Sequence, residues 1–186
     1  MRALRVAWLK SYEVFGKVKL LGMILSGVGI FGMMGFIVLE VIMRNLFNYS
    51  IPGNYEMVQN YFMPVVTLPV IVYAFSEGVL PRINMVISKF NYKLQKGVLL
   101  LLLLVEIAVF TLMAFYGWQY AISGMEAGDA FPASGSMYPI YPFYFLIPIG
   151  FGMLVVEMVF LFGKNLMDKD VSFTVSENKN EELYVS

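Results

Sequence analysis

Five carboxylates stand in or beside long apolar runs of this 186-residue sequence: Glu40, Glu56, Glu106, Glu126 and Glu157. A carboxylate in hydrocarbon is costly, so it faces a protein interior or a water-filled path. There it either exchanges a proton or cation, or hydrogen-bonds across helices. The chain has no histidine and no cysteine. Disulfides, thiol chemistry, zinc clusters and a Ser-His-Asp triad are therefore excluded, and acid–base work would fall to carboxylates, Lys or Tyr. No spacing of these residues forms a catalytic constellation, and no cofactor or metal site is expected. A formal net charge of zero also argues against nucleic-acid binding, which needs a basic surface.

The elements that position these carboxylates follow from composition. Hydrophobic residues make up 59% and charged residues 14%, too apolar for the surface of a soluble domain. A bilayer core about 30 Å thick needs about 20 apolar residues per helix. Four runs meet this, at about 20–43, 55–75, 97–120 and 140–162. Of 13 Lys and Arg residues, all but Arg44 precede the first run, lie between the second and third, or follow the fourth. The positive-inside rule then puts both termini in the cytoplasm. The expected fold is an all-α integral membrane protein: one four-helix domain over 1–164 and a polar, disordered tail over 165–186. The first run exceeds a signal-peptide h-region and is expected to stay as an uncleaved anchor.

Two flanking segments are amphipathic. Residues 2–17 carry Leu4, Trp8 and Phe15 on one face. Residues 82–96 carry Ile83, Val86, Phe90 and Leu94 as a stripe, with Lys89, Lys93 and Lys96 outside it. Both suit helices lying flat in the headgroup region. Trp8, Phe15, Arg82, Lys89, Phe90 and Lys93 are the expected interfacial anchors there. Tyr138, Tyr141 and Tyr144 serve the opposite interface, where the fourth run begins.

Within this frame the carboxylates separate. Glu40 and Arg44 sit one helical turn apart, and Glu56 opens the second run. The three are expected to pin the hairpin at 45–54 or to contact an outer partner. Glu106 and Glu157 lie inside the third and fourth runs, where helix packing and a proton or ion site are both open. Gly22, Ser26 and Gly29 share one face of the first run with Glu40, a surface for close helix approach within the chain or against another. Pro64 and Pro69 should bend the second run, and a neighbouring helix or Thr67 should satisfy the freed carbonyls.

Several landmarks together resemble a known family. Arg44, Phe47 and Asn48 end the first run. Ser50-Ile51-Pro52 and Glu56 open the second. Arg82-Ile83-Asn84-Met85 lies between the second and third, and Tyr144 with Pro148-Ile149-Gly150 opens the fourth. In this order the chain resembles the small permease subunit of tripartite ATP-independent periplasmic transporters. Family members often show Trp and two acidic residues where this chain reads Asn54-Tyr55-Glu56-Met57. They often show His-Ile and then Asp where it has Arg82-Ile83 and Val86.

The resemblance implies an inner-membrane scaffold subunit without enzymatic activity. Its partners would be membrane lipid, a large permease subunit that moves substrate with sodium, and a periplasmic binding protein that delivers an organic acid such as a dicarboxylate or sialic acid. It favours helix packing for Glu106 and Glu157. Gly22, Ser26, Gly29, Glu40, Arg44, Glu56, Glu106 and Glu157 are then the partner-interface candidates. The alternative is a self-sufficient, homo-oligomeric transporter that uses Glu106 or Glu157 as its proton site.

Overall fold

The structure, a computed structural model, describes residues 2–77, 91–133 and 135–167. It contains four helices long and apolar enough to cross a membrane: Lys10–Phe47, Asn54–Ser76, Leu94–Ala127 and Tyr141–Met167. In chain order the elements are α1 (Arg2–Phe47), α2 (Asn54–Met57), a π-helical turn (Val58–Phe62), α3 (Met63–Ser76), α4 (Tyr92–Ala127), strands β1 (Ala130–Ala133) and β2 (Ser136–Pro139), α5 (Tyr141–Tyr144) and α6 (Leu146–Met167). The long helices pack as a row: α1 on α3, α3 on α6 and α6 on α4.

The helices are longer than their apolar runs. α1 has 46 residues, about 69 Å of helix, more than twice a bilayer core. Residues 2–17 therefore do not form a separate flat helix. They continue into the first span without a break, and their aromatic face packs on α6. Trp8 meets the edge of Phe160 at 5.6 Å, and Phe15 stacks on the same ring at 6.0 Å. Both expected anchors thus contact the chain itself. Of the second amphipathic segment, residues 82–90 lie outside the described residues, including Arg82, Lys89 and Phe90. Tyr92 onward, including Lys93, already belongs to α4. Residues 165–167 continue α6, and the rest of the expected tail lies outside the described residues.

The second span bends as its prolines require, by two different means. Pro64 has no N–H for the Asn60 carbonyl. The preceding turn widens into the π-helical segment, with the Met63 N–H donating to Val58 O. Pro69 likewise leaves the Val65 carbonyl without its helical donor. Ser26 Oγ on α1 donates to that carbonyl at a long 3.5 Å. The neighbouring helix supplies this contact, while Thr67 points outward and is exposed.

Ser26 is fully buried because the small-residue face of α1 lies against α3. A Cβ added at Gly22 would stand 3.1 Å from Pro69 Cβ, and one at Gly29 would stand 2.9 Å from Val66 Cγ2. Small residues let the two backbones approach where lipid supplies no hydrophobic drive. Gly22, Ser26 and Gly29, candidates for a partner contact, are spent on an interface within the chain. Between α4 and α6, Leu99, Leu103, Met158 and Leu161 form the core, with Trp8, Tyr12 and Phe75 against it.

The connection between α4 and α6 adds an element that an all-α expectation omits. Ala130–Ala133 and Ser136–Pro139 pair antiparallel, with Phe131 opposite Tyr138. Tyr61 anchors this hairpin to the second span. Its Oη donates to Pro139 O at 2.9 Å. Its ring stacks on Phe143 at 4.5 Å and meets the edge of Phe131 at 5.2 Å. Gly53, in the left-handed conformation with φ 77, packs so near the hairpin that a Cβ there would lie 2.6 Å from Ala133 Cβ. Gly53→Val is expected to detach the two turns from each other through both backbone strain and this collision, at a cost of about 1–3 kcal/mol. Faster hydrogen exchange across residues 130–139, with the long helices unchanged, would show it.

Candidate functional site

Polar side chains gather at the two ends of the bundle. The terminal end is the half of the bundle where residues 8–19 of α1 meet α6 from its middle, at Glu157, to its last turns. The hairpin end carries the 48–53 turn and the β-hairpin.

At the terminal end, Trp8, Tyr12, Phe15 and Lys19 recur at spacings of four, three and four, so one stripe of α1 faces α6. Lys19 Nζ donates to Glu157 Oε2 at 2.7 Å and to Tyr12 Oη at 3.1 Å. Tyr12 Oη in turn donates to Glu157 Oε1 at 3.0 Å. The ammonium also lies 4.6 Å from the Tyr12 ring centroid and 5.2 Å from that of Phe15. Lys19 and Glu157 are only 4% and 2% exposed. Both carboxylate oxygens are therefore held, and the charge is balanced inside the chain.

The sequence reading singled out Glu157 but missed Lys19 and Tyr12. The available signal was the four-residue stripe. Its lysine directly precedes the apolar run and is opposite in charge to an intramembrane carboxylate. Glu106, on α4, is half-buried and engaged within the chain.

At the hairpin end the structure brings Glu40, Arg44 and Glu56 around one open cavity of about 480 Å³, shared with Ser50, Asn54 and Val58. Asn48 allows the turn by adopting φ 49, a conformation asparagine tolerates. Tyr49 N–H then reaches back to Met43 O. Glu40 accepts a hydrogen bond from Ser50 Oγ at 2.9 Å. The three charged residues share the cavity without an ion pair among them: Arg44 is exposed, while Glu40 and Glu56 are half-buried. Asn54 Oδ1 is buried beside them without a hydrogen-bond partner.

Of the tyrosines expected at this interface, Tyr144 lies against Tyr120, with ring centroids 4.7 Å apart. Tyr138 stacks on Phe131, and Tyr141 starts α5. All three are half-buried.

Among the described residues, no group of three or more Asp and Glu side chains is placed to hold a metal. Four lipid-length helices, broad apolar outer faces and polar groups held at the two ends define a multi-pass membrane protein.

Comparison with known families assigns it further. The DctQ component of the tripartite ATP-independent periplasmic transporters matches residues 33–164, and the chain belongs to that family. It is the small membrane subunit of a transporter that also has a large membrane subunit and a periplasmic binding protein, and the family is one of transporter components rather than enzymes. No curated protein and no solved structure matches the chain.

Proposed function

We propose that this subunit is a scaffold: it widens and anchors the large permease subunit in the bacterial inner membrane, with both termini cytoplasmic. The transporter it serves imports an organic acid, of dicarboxylate or sialic-acid type, delivered by the periplasmic binding protein and driven by sodium. One observation carries the scaffold reading. The buried ion pair of the bundle is closed within the chain, while α1 and α4 present wide apolar faces; Leu21, Phe31 and Leu101 are each more than 60% exposed. Such faces suit lipid and a membrane partner. A proton or ion site would instead need a carboxylate free to change its partner, and Glu157 is already held by Lys19 and Tyr12.

Orientation rests on charge. Twelve of the 13 basic residues fall on one side of the spans, which leaves Arg44 and the hairpin end facing the periplasm. There Arg44 meets the delivered binding protein, as a rim charge that speeds encounter. Arg44→Glu is expected to slow binding-protein-dependent uptake several-fold at low salt and less at high salt, with the membrane complex intact. Unchanged uptake at both salt concentrations would remove Arg44 from this role.

The test of the scaffold reading is reconstitution. Proteoliposomes holding this chain alone, given binding protein, organic acid and a sodium gradient, should take up nothing. Adding the large subunit should restore sodium-dependent uptake. Uptake by this chain alone would overturn the reading.

A further inference from the structure

One seam of α1 serves two neighbours. Below Lys19, the stripe Trp8, Tyr12 and Phe15 lies on Phe160 of α6. Above it, Gly22, Ser26 and Gly29 lie on α3. Lys19 stands where the seam passes from one neighbour to the other. We propose that Lys19, Tyr12 and Glu157 form a clasp that closes the subunit, fastening its first membrane helix to its last and fixing the rotation of α1.

The geometry is that of a built lock. The ammonium and carboxylate are 138 residues apart in sequence and meet at 2.7 Å, almost sealed from solvent. The tyrosine bridges both groups, and two rings cover the ammonium. Glu157 lies midway along α6, so without Lys19 it would stand as a lone charge in the apolar layer. Plain apolar faces distinguish registers weakly, because lipid competes for them, and the close Gly22 and Gly29 contacts seat α1 on α3 but do not reach its junction with α6. A single buried pair distinguishes registers sharply, and selecting one among several is the best-attested use of such pairs. Turning α1 by one residue would rotate Lys19 by about 100° off Glu157. It would also move the exposed face that runs through Leu21, Val28 and Phe31. Together with the seam on α3, the clasp thereby sets which face α1 shows to its surroundings. Lys19 lies outside the stretch that matches the family, so the clasp is a property read from this chain.

A cysteine reporter tests this directly, because the chain has none of its own. Gly163 is suitable, since a Cβ there meets Trp8 Nε1 at an ordinary 3.5 Å. In membranes containing the full-length Gly163→Cys chain, maleimide labelling reads how often α1 lifts from α6. With the clasp intact, labelling should be slow. Lys19→Leu or Glu157→Leu should speed it about tenfold or more, because each leaves one buried charge unpaired. The exchange Lys19→Glu with Glu157→Lys should bring it back to within about threefold of the parent.

Unchanged labelling in the single variants would overturn the clasp. So would an exchange variant that labels as fast as the singles. Should the singles fail to accumulate, recovery of the exchange variant supports the clasp and its failure overturns it. None of these readouts involves uptake or the large subunit, so they stand apart from the scaffold reading.

Discussion

Gly29→Leu is expected to destroy the packing of the first span on the second, while Gly27→Leu, two residues away, should leave it intact. A Cβ at Gly29 would stand 2.9 Å from Val66 Cγ2, and the rest of a leucine side chain has no room beyond it. The helices must separate, and the loss spreads along the seam to Gly22 against Pro69 and to Ser26 on the Val65 carbonyl. Overpacking of this kind costs about 2–3 kcal/mol. Here the separated surfaces gain little from water exclusion, since close contact is what holds helices together in lipid. At Gly27 an added Cβ meets nothing within 4 Å, so leucine there should change stability by about 0.5 kcal/mol or less. Thermal unfolding in detergent of the two variants, side by side, measures the difference. Equal stability of the two would mean that the α1–α3 seam is not as described.

The second large effect is expected at Tyr61. This residue joins the bent second span to the β-hairpin, by a hydrogen bond to Pro139 O and a ring contact with Phe131, and to α5 by stacking on Phe143. Tyr61→Phe removes only the hydrogen bond and should cost about 0.5–1 kcal/mol. Tyr61→Ala removes the rings' common partner as well. Because Tyr61 is half-buried, its loss should cost about 2–3 kcal/mol, less than the about 3–5 kcal/mol of a fully buried ring. The effect should be local. Hydrogen exchange of residues 130–139 should quicken in Tyr61→Ala by about thirty-fold or more, with α4 and α6 keeping their protection. Uniform loss of protection throughout the bundle would contradict this placement of Tyr61.

What could be read from the sequence followed from local periodicity and charge. The four spans are contiguous apolar runs, and a bilayer's thickness is enough to recognise them. The Gly22, Ser26 and Gly29 face was legible as a packing surface because its spacing is helical; its neighbour, α3, was not, since that depends on the whole bundle. The bend at Pro64 and Pro69 was legible from the missing donors, whereas the π-helical form of the first bend depends on how the widened turn repairs its hydrogen bonds.

Trp8 and Phe15 read as headgroup anchors because an aromatic stripe facing lipid interface and one facing a helix have the same period. The β-hairpin left no local signal: its strands are four residues each and contain Pro132 and Pro139, and Tyr61, remote in sequence, secures them. Glu40 and Arg44 have ion-pair spacing, yet Ser50 takes the carboxylate, because the turn folds back over it. Lys19 was the hardest to read, since a basic residue at the edge of an apolar run is what the positive-inside rule already expects.

As a member of its family, this chain works as one membrane component beside a larger one. Affinity purification from mild-detergent extracts of membranes that co-express the chain, tagged at one terminus, with the large permease subunit measures this partnership. Both subunits should elute together in fixed proportion and stay together through size-exclusion chromatography. Elution of this chain alone or as a homo-oligomer, with the large subunit left behind in a stable and active form, would contradict it.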